Sequence, residues 1–152
     1  MAQYTPPLRD LQFVMHELLD AIPQLNEIPA HADLDAETVN AVLEEGGKFA
    51  AEVLFPLNQS GDREGCTLDK ATREVKTPAG FKEAYDRYCQ DGWITMTADP
   101  QWGGQGLPGG FALAFGEMLC SGNMAWKMYS GLTESAGLTL AAHGSDELKQ
   151  RY

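Results

Sequence analysis

The sequence is short of basic charge. Eleven Lys and Arg stand against 22 Asp and Glu, for a net charge of -11. A protein that grips a phosphate backbone needs a basic footprint, so nucleic acid is excluded as the partner, and an anionic membrane surface is disfavoured for the same reason. No run of about 18 apolar residues occurs, which excludes a transmembrane helix. The opening Met1 to Pro7 lacks the basic-then-apolar order of a secretory leader. Cysteine is scarce and odd in number: Cys66, Cys89 and Cys120 share no short spacing. They make neither a disulfide framework nor a paired-cysteine metal site. The expectation is three reduced thiols in a cytoplasmic protein. His16, His31 and His143 fall in unrelated contexts, and no zinc-protease, nucleophile-elbow or phosphate-loop pattern is present. Neither a metal site nor a catalytic residue is assigned.

What remains is a globular composition of 152 residues, 43% hydrophobic and 22% charged. A chain of this size can bury its own core. Charge is uneven: residues 1–54 carry ten acidic and two basic residues, and residues 55–152 carry twelve and nine. Solvated helix faces account for such a bias.

Helical periodicity dominates. Leu8, Leu11, Met15, Leu18, Leu19 and Ile22 recur at three- and four-residue steps, predicting a helix closed by Pro23. Asp35 reads as an N-cap for a stripe through Val39, Val42, Leu43, Gly46, Phe49, Ala50, Val53 and Leu54, with Pro56 kinking or ending it. Residues 60–76 read as a polar surface loop. Thr77-Pro78 predicts a helix start, Phe81 to Cys89 its buried stripe and Gly92 its terminating glycine. Residues 93–97 read as a short extended piece and 99–110 as a glycine- and proline-rich loop anchored by Trp102. Helices over 111–121 and 123–142 follow, divided by Gly122, and Ser145 caps a last one. The fold class is therefore all-α, a mostly antiparallel helical bundle without a strand pair.

Gly104, Gly106 and Gly109 match the spacing of a dinucleotide fingerprint. That mechanism needs a parallel strand beyond and an acidic residue about 20 positions on, and neither is present. Glycines that let a loop turn sharply are the favoured reading. Glu134 sits in the small-residue stretch Gly131 to Gly137, either as a buried base or bonded to solvent or a neighbouring element, the latter favoured. Gly131, Ser135 and Gly137 leave room beside their helix for a packed helix or an elongated apolar ligand, with Lys127 on the same side.

Several stretches together resemble the N-terminal helical domain of acyl-CoA dehydrogenases. Asp99-Pro100-Gln101-Trp102-Gly103-Gly104-Gln105-Gly106-Leu107 is similar to that family's proline, aromatic, Gly-Gly-x-Gly-Leu loop. The helix from Ala112 to Leu119, a small-residue helix and the closing Gly144-Ser145-Asp146-Glu147-Leu148-Lys149-Gln150-Arg151-Tyr152 follow in the family's order. Tyr4 to Val14 resembles the N-terminal extension of the long members, the methylthiopropanoyl-CoA dehydrogenase type included. On this resemblance, residues 1–34 form the extension helix and 35–152 the N-terminal helical domain.

The resemblance implies α,β-dehydrogenation of an acyl-CoA thioester, with FAD as cofactor, an electron-transfer flavoprotein as partner and a homo-oligomer as the full-length assembly. The family's middle β domain and C-terminal helical domain, which carry most flavin contacts and the glutamate base, have no counterpart here. The chain is therefore expected to be a truncated gene product or an isolated domain, neither catalytic alone nor a stable holder of FAD. Counted back from Lys149–Tyr152 without gaps, the family's acyl-tunnel positions fall at Lys127, Gly131 and Ser135; equally, these residues only pack helices. No cofactor-binding residue is assigned. The alternative functions are a stand-alone helical interaction or assembly domain and, more weakly, a nucleotide-binding module built on the glycine loop.

Overall fold

Residues 3–152 are described by the computed structural model. Seven α-helices and one two-stranded hairpin make up the regular structure of that span, in keeping with the all-α expectation. Helix α1 (Leu8–Gln12) runs into a π-helical turn (Phe13–Leu18), and α2 (Ala21–Asn26) follows. Asp20, at φ 45°, breaks the path between them. Pro23 therefore does not close a helix. It lies in the first turn of α2, where a missing N–H costs no intrahelical bond.

Helix α3 (Ala36–Lys48) starts where Asp35 caps it, the carboxylate accepting from the Thr38 amide at 2.7 Å. It passes through a π-helical stretch (Phe49–Leu54) into α4 (Phe55–Glu64), so the helical path does not end at Pro56. Proline falls in the first turn of α4, and the widened i→i+5 ladder before it absorbs the irregularity. Val39, Leu43, Phe49, Ala50 and Leu54 from this run are buried. Gly46 is the close approach: a Cβ there would lie 2.7 Å from the Phe115 ring.

The polar stretch after Ser60 is not a loop throughout. Its first residues complete α4, and β1 (Thr67–Leu68) pairs antiparallel with β2 (Val75–Lys76), so a strand pair is present. The Asp69 side chain accepts from the Ala71 and Thr72 amides and shapes the turn, a local side-chain signal that periodicity does not register. Helix α5 (Phe81–Gln90) begins three residues later than Thr77-Pro78 predicts, after Gly80 at φ 83°. It ends as predicted, with Gly92 left-handed at φ 80°. Residues Trp93–Thr95 form a 3-10 turn instead of an extended piece. Pro100–Trp102 forms another, capped by the Asp99 side chain on the Gln101 amide at 2.9 Å.

Helix α6 (Gly109–His143) carries the core's other wall. Its break is at Asn123, at φ -160° and ψ 89°, one residue past the predicted divider Gly122. The Asn123 carboxamide accepts from the Trp126 amide at 3.0 Å, which caps the second half, and donates to the Leu54 carbonyl at 3.2 Å. Contacts pair Gly46 with Phe115, Ala50 with Gly122, and Leu54 with Asn123. The positions ascend together on both runs, so these two long helical walls lie parallel, and the hairpin and α5 form the crossover between them. Ser145 caps α7 (Asp146–Arg151) as expected, accepting from the Leu148 amide at 3.3 Å.

Tyr88 and Trp126 sit at the centre of the core, their rings edge to face at 5.3 Å, with Phe49 and Phe115 about 6 Å from Tyr88. The indole N–H of Trp126 donates to the Phe81 carbonyl at 3.1 Å, so its burial leaves no orphaned donor. Tyr4, Leu8, Leu11, Met15 and Ile22 pack on this same core from the N-terminal side. Asn123→Ala removes both the cap and the tie to Leu54. Urea unfolding is expected to show a loss of about 1–3 kcal/mol, with the midpoint lowered and the slope unchanged.

Candidate functional site: the outer face of the long helix

Beyond the Asn123 break, helix α6 buries only one side. Trp126 and Ser130 point into the core. The opposite side exposes Met124, Met128, Leu132 and Leu138, with Leu132 75% accessible. Residues 124, 128 and 132 follow a four-residue step, so they form one ridge. Gly131 and Ser135, also four apart, lie beside that ridge. A Cβ built on Gly131 meets nothing within 4 Å, so the strip is open. The Ser135 hydroxyl donates to the Gly131 carbonyl at 2.8 Å, which turns its polar atom back onto its own helix. The result is an exposed apolar strip on a helix surface, with small residues between its larger side chains.

Lys127 lies on the same side, but its ammonium is engaged. It bonds both oxygens of Glu134 at 2.7 Å and the Ser130 hydroxyl at 3.2 Å. The Tyr88 hydroxyl donates to Glu134 Oε1 at 2.7 Å, which brings α5 into the network. The Lys127 and Glu134 side chains are 16% and 31% accessible, while the other ion pairs of the described residues are exposed. Glu134 thus bonds a neighbouring element, as favoured, and is no unpaired base. Burial pushes its carboxyl up, but the bonds from Lys127 and Tyr88 outweigh burial and hold it below the ordinary carboxylate value. The Tyr88 phenol is pushed well above its ordinary value, first by burial and then by the adjacent carboxylate.

Sequence reasoning placed Lys127, Gly131 and Ser135 on one helix side, and the structure brings them together there. It missed Tyr88 and Ser130. The Lys127–Glu134 spacing of seven residues, two helical turns, is a signal visible in the sequence; the Tyr88 contact, 46 residues away, is not.

From Gly103 to Leu107 the amides of the glycine loop are spent on its own neighbourhood: Gly103 on Pro100, Gly104 on Asp99, Gln105 on Thr95, Gly106 on Ala98 and Leu107 on Met96, all at 2.9–3.1 Å. Gly104 is required by contact with Ala98, whose carbonyl oxygen would lie 2.0 Å from a Cβ. Trp102 is not the loop's anchor, since it lies at the surface. Trp93, ahead of the loop, packs on the core instead, 4.5 Å from the Phe115 ring. A groove of about 650 Å³ between the N-terminal arm and α3 holds two cations, Arg9 and Lys48, already paired with Glu17 and Glu45. Among the described residues no group of three His, Cys, Asp or Glu is placed to hold a metal ion, and no helix is long and apolar enough to cross a membrane.

Residues 36–152 match the family described as acyl-CoA dehydrogenase, N-terminal domain, and the chain belongs to that family. It is 34% identical over 149 residues to the 3-methylmercaptopropionyl-CoA dehydrogenase of Ruegeria pomeroyi, covering 98% of this chain and 25% of that protein. It is 29% identical over 151 residues to the butyryl-CoA dehydrogenase of Syntrophomonas wolfei, covering 98% and 24%. The broad-specificity linear acyl-CoA dehydrogenase FadE5 of Mycobacterium tuberculosis is 28% identical over 131 residues, covering 86% and 21%. The chain thus spans about a quarter of the length of these curated relatives.

The network makes stability depend on pH with a definite sign. A carboxyl whose folded value is lowered contributes fully above its ordinary value of 4.5 and loses that contribution as pH falls through the folded value. Thermal unfolding between pH 7 and 3 is expected to fall more steeply below pH 4.5 in the natural chain than in Glu134→Gln.

Proposed function

We propose that this chain is the N-terminal domain of an FAD-dependent acyl-CoA dehydrogenase, and that it contributes part of the acyl tunnel without catalysing alone. The observation that carries the reading is the open strip beside Gly131 and Ser135 on α6, in a chain that belongs to this family. An acyl chain is an elongated apolar ligand, and a strip floored by small residues and flanked by methionine suits it. Lys127 stands at the edge of that strip, and Gly131 and Ser135 form its floor.

The reaction is α,β-dehydrogenation of an acyl-CoA thioester. FAD and the catalytic base belong to middle β and C-terminal helical domains outside these 152 residues, and the chain's own part is to bind and orient the acyl end. An electron-transfer flavoprotein takes the electrons, the full-length enzyme is a homo-oligomer, and its pathway is fatty acid metabolism. The three unpaired thiols support a cytoplasmic placement.

The test compares this chain with a polypeptide that also carries the two further domains. Mixed with FAD and acyl-CoA, the chain alone is expected to retain no flavin absorbance after gel filtration. The longer polypeptide is expected to be yellow and to be bleached by acyl-CoA. In it, Gly131→Phe should raise KM for acyl-CoA about tenfold or more with flavin content unchanged. Flavin retained by the chain alone, or an unchanged KM for every acyl-CoA tried, overturns the reading.

A further inference from the structure

We propose that Glu134 is a positioning residue for Lys127: with Ser130 it draws the ammonium to the core side of α6 and keeps charge off the floor beside Gly131. A lysine on an apolar strip would ordinarily turn its charge outward into water. Here it does the opposite. Glu134 lies seven residues on, about 10.5 Å along the axis, so the lysine must reach along the helix to meet it. The two groups meet over Ser130, whose hydroxyl also contacts the ammonium at 3.2 Å, and Ser130 is fully buried. An ammonium has three N–H donors, and three acceptor atoms lie within 3.2 Å, two on Glu134 and one on Ser130. Its donor capacity is filled without a ligand.

Tyr88 completes the arrangement from α5, its hydroxyl fixing the carboxylate at 2.7 Å. A tyrosine 2% accessible in the aromatic core cannot swing away, so the carboxylate is held by a rigid group and in turn holds the lysine. The space beside Gly131 stays clear to 4 Å. What Lys127 presents to the strip is its methylene stem, while its charge is spent inward. The consequence for ligand choice rests on the acyl-wall reading above: the strip takes an apolar chain at this point, and Lys127 is not a counter-ion for a polar acyl group.

Amine reactivity tests the arrangement without any acyl-CoA. The folded chain is treated at pH 8 with N-hydroxysuccinimidyl acetate, and each lysine's acetylation rate is read by peptide mass spectrometry. Lys70 and Lys76, both exposed, serve as internal references. Lys127 is expected to react about tenfold slower than they do in the natural chain, since its donors are bound and its side chain is mostly buried. In Glu134→Gln its rate should rise to within about threefold of the references, and Glu134→Asp should restore part of the protection. Circular dichroism establishes that each variant is folded. The comparison within the natural chain needs no variant at all. If Lys127 reacts there as fast as Lys70 and Lys76, or if folded Glu134→Gln leaves its rate unchanged, the proposal is wrong. Failure of the acyl-wall reading shows separately, in the KM of Gly131→Phe.

Discussion

The architecture turns on one buried amide. Asn123 sits where α6 must stop being a continuous rod, and its side chain uses both of its ends there. The oxygen caps the second half of the helix at the Trp126 amide; the nitrogen reaches the Leu54 carbonyl, where the π-helical stretch gives way to α4. A buried carboxamide is costly unless paired. Paired in this way, it sets the direction of the second half of α6 and the height at which that half meets the parallel wall. Trp126, three residues on, is delivered to the centre of the aromatic core as a consequence. Tyr88, Phe49 and Tyr85 pack around an indole whose position Asn123 dictates.

From that junction the outer strip follows. With Trp126 and Ser130 turned inward, helical geometry leaves Met124, Met128, Leu132, Gly131 and Ser135 on the outside. Nothing in the described residues covers this side, and its exposed methionines and leucines would be a liability on a freely soluble surface. The Lys127–Glu134–Tyr88 network lies along the boundary between the buried and open sides. A half-buried ion pair is a poor source of stability when hydrophobic packing would serve as well. Its usefulness here lies in placement, because each member has its direction set by the others.

The legible part of this structure is the part written in single-helix periodicity. The stripe from Val39 to Leu54, the cap at Asp35, the terminating Gly92 and the cap at Ser145 all depend on residues within a turn or two of one another. The shared side of Lys127, Gly131 and Ser135 was visible for the same reason, being a matter of four-residue steps. What escaped depends on contacts between distant segments or on compensation. The helical path continues through Pro56 because the ladder before it widens to π geometry. A two-stranded hairpin forms in a stretch with no apolar alternation, held by its turn. Tyr88 on Glu134 and Asn123 on Leu54 join residues 46 and 69 apart, beyond any local pattern. The glycine loop was legible as a sharp turn, with Gly103 and Gly106 at φ 87° and 68°. Its spacing imitates a phosphate cradle, yet Gly104 is needed for the Ala98 backbone that fills the place a Cβ would take.

The loop amides from Gly103 to Leu107 bond within their own neighbourhood, and Leu107 on Met96 and Gln105 on Thr95 fix the chain direction into α6. The loop's work is structural support for the helix that follows. The cations of the strip and of the N-terminal groove are engaged, Arg9 with Glu17, Lys48 with Glu45 and Lys127 with Glu134. What the fold presents without cost is apolar surface of fixed shape. Under the proposed function, a wall of that kind acts by excluding water and by matching the length and thickness of an apolar chain. Those are properties of α6 and its junction at Asn123, and no single reactive group supplies them.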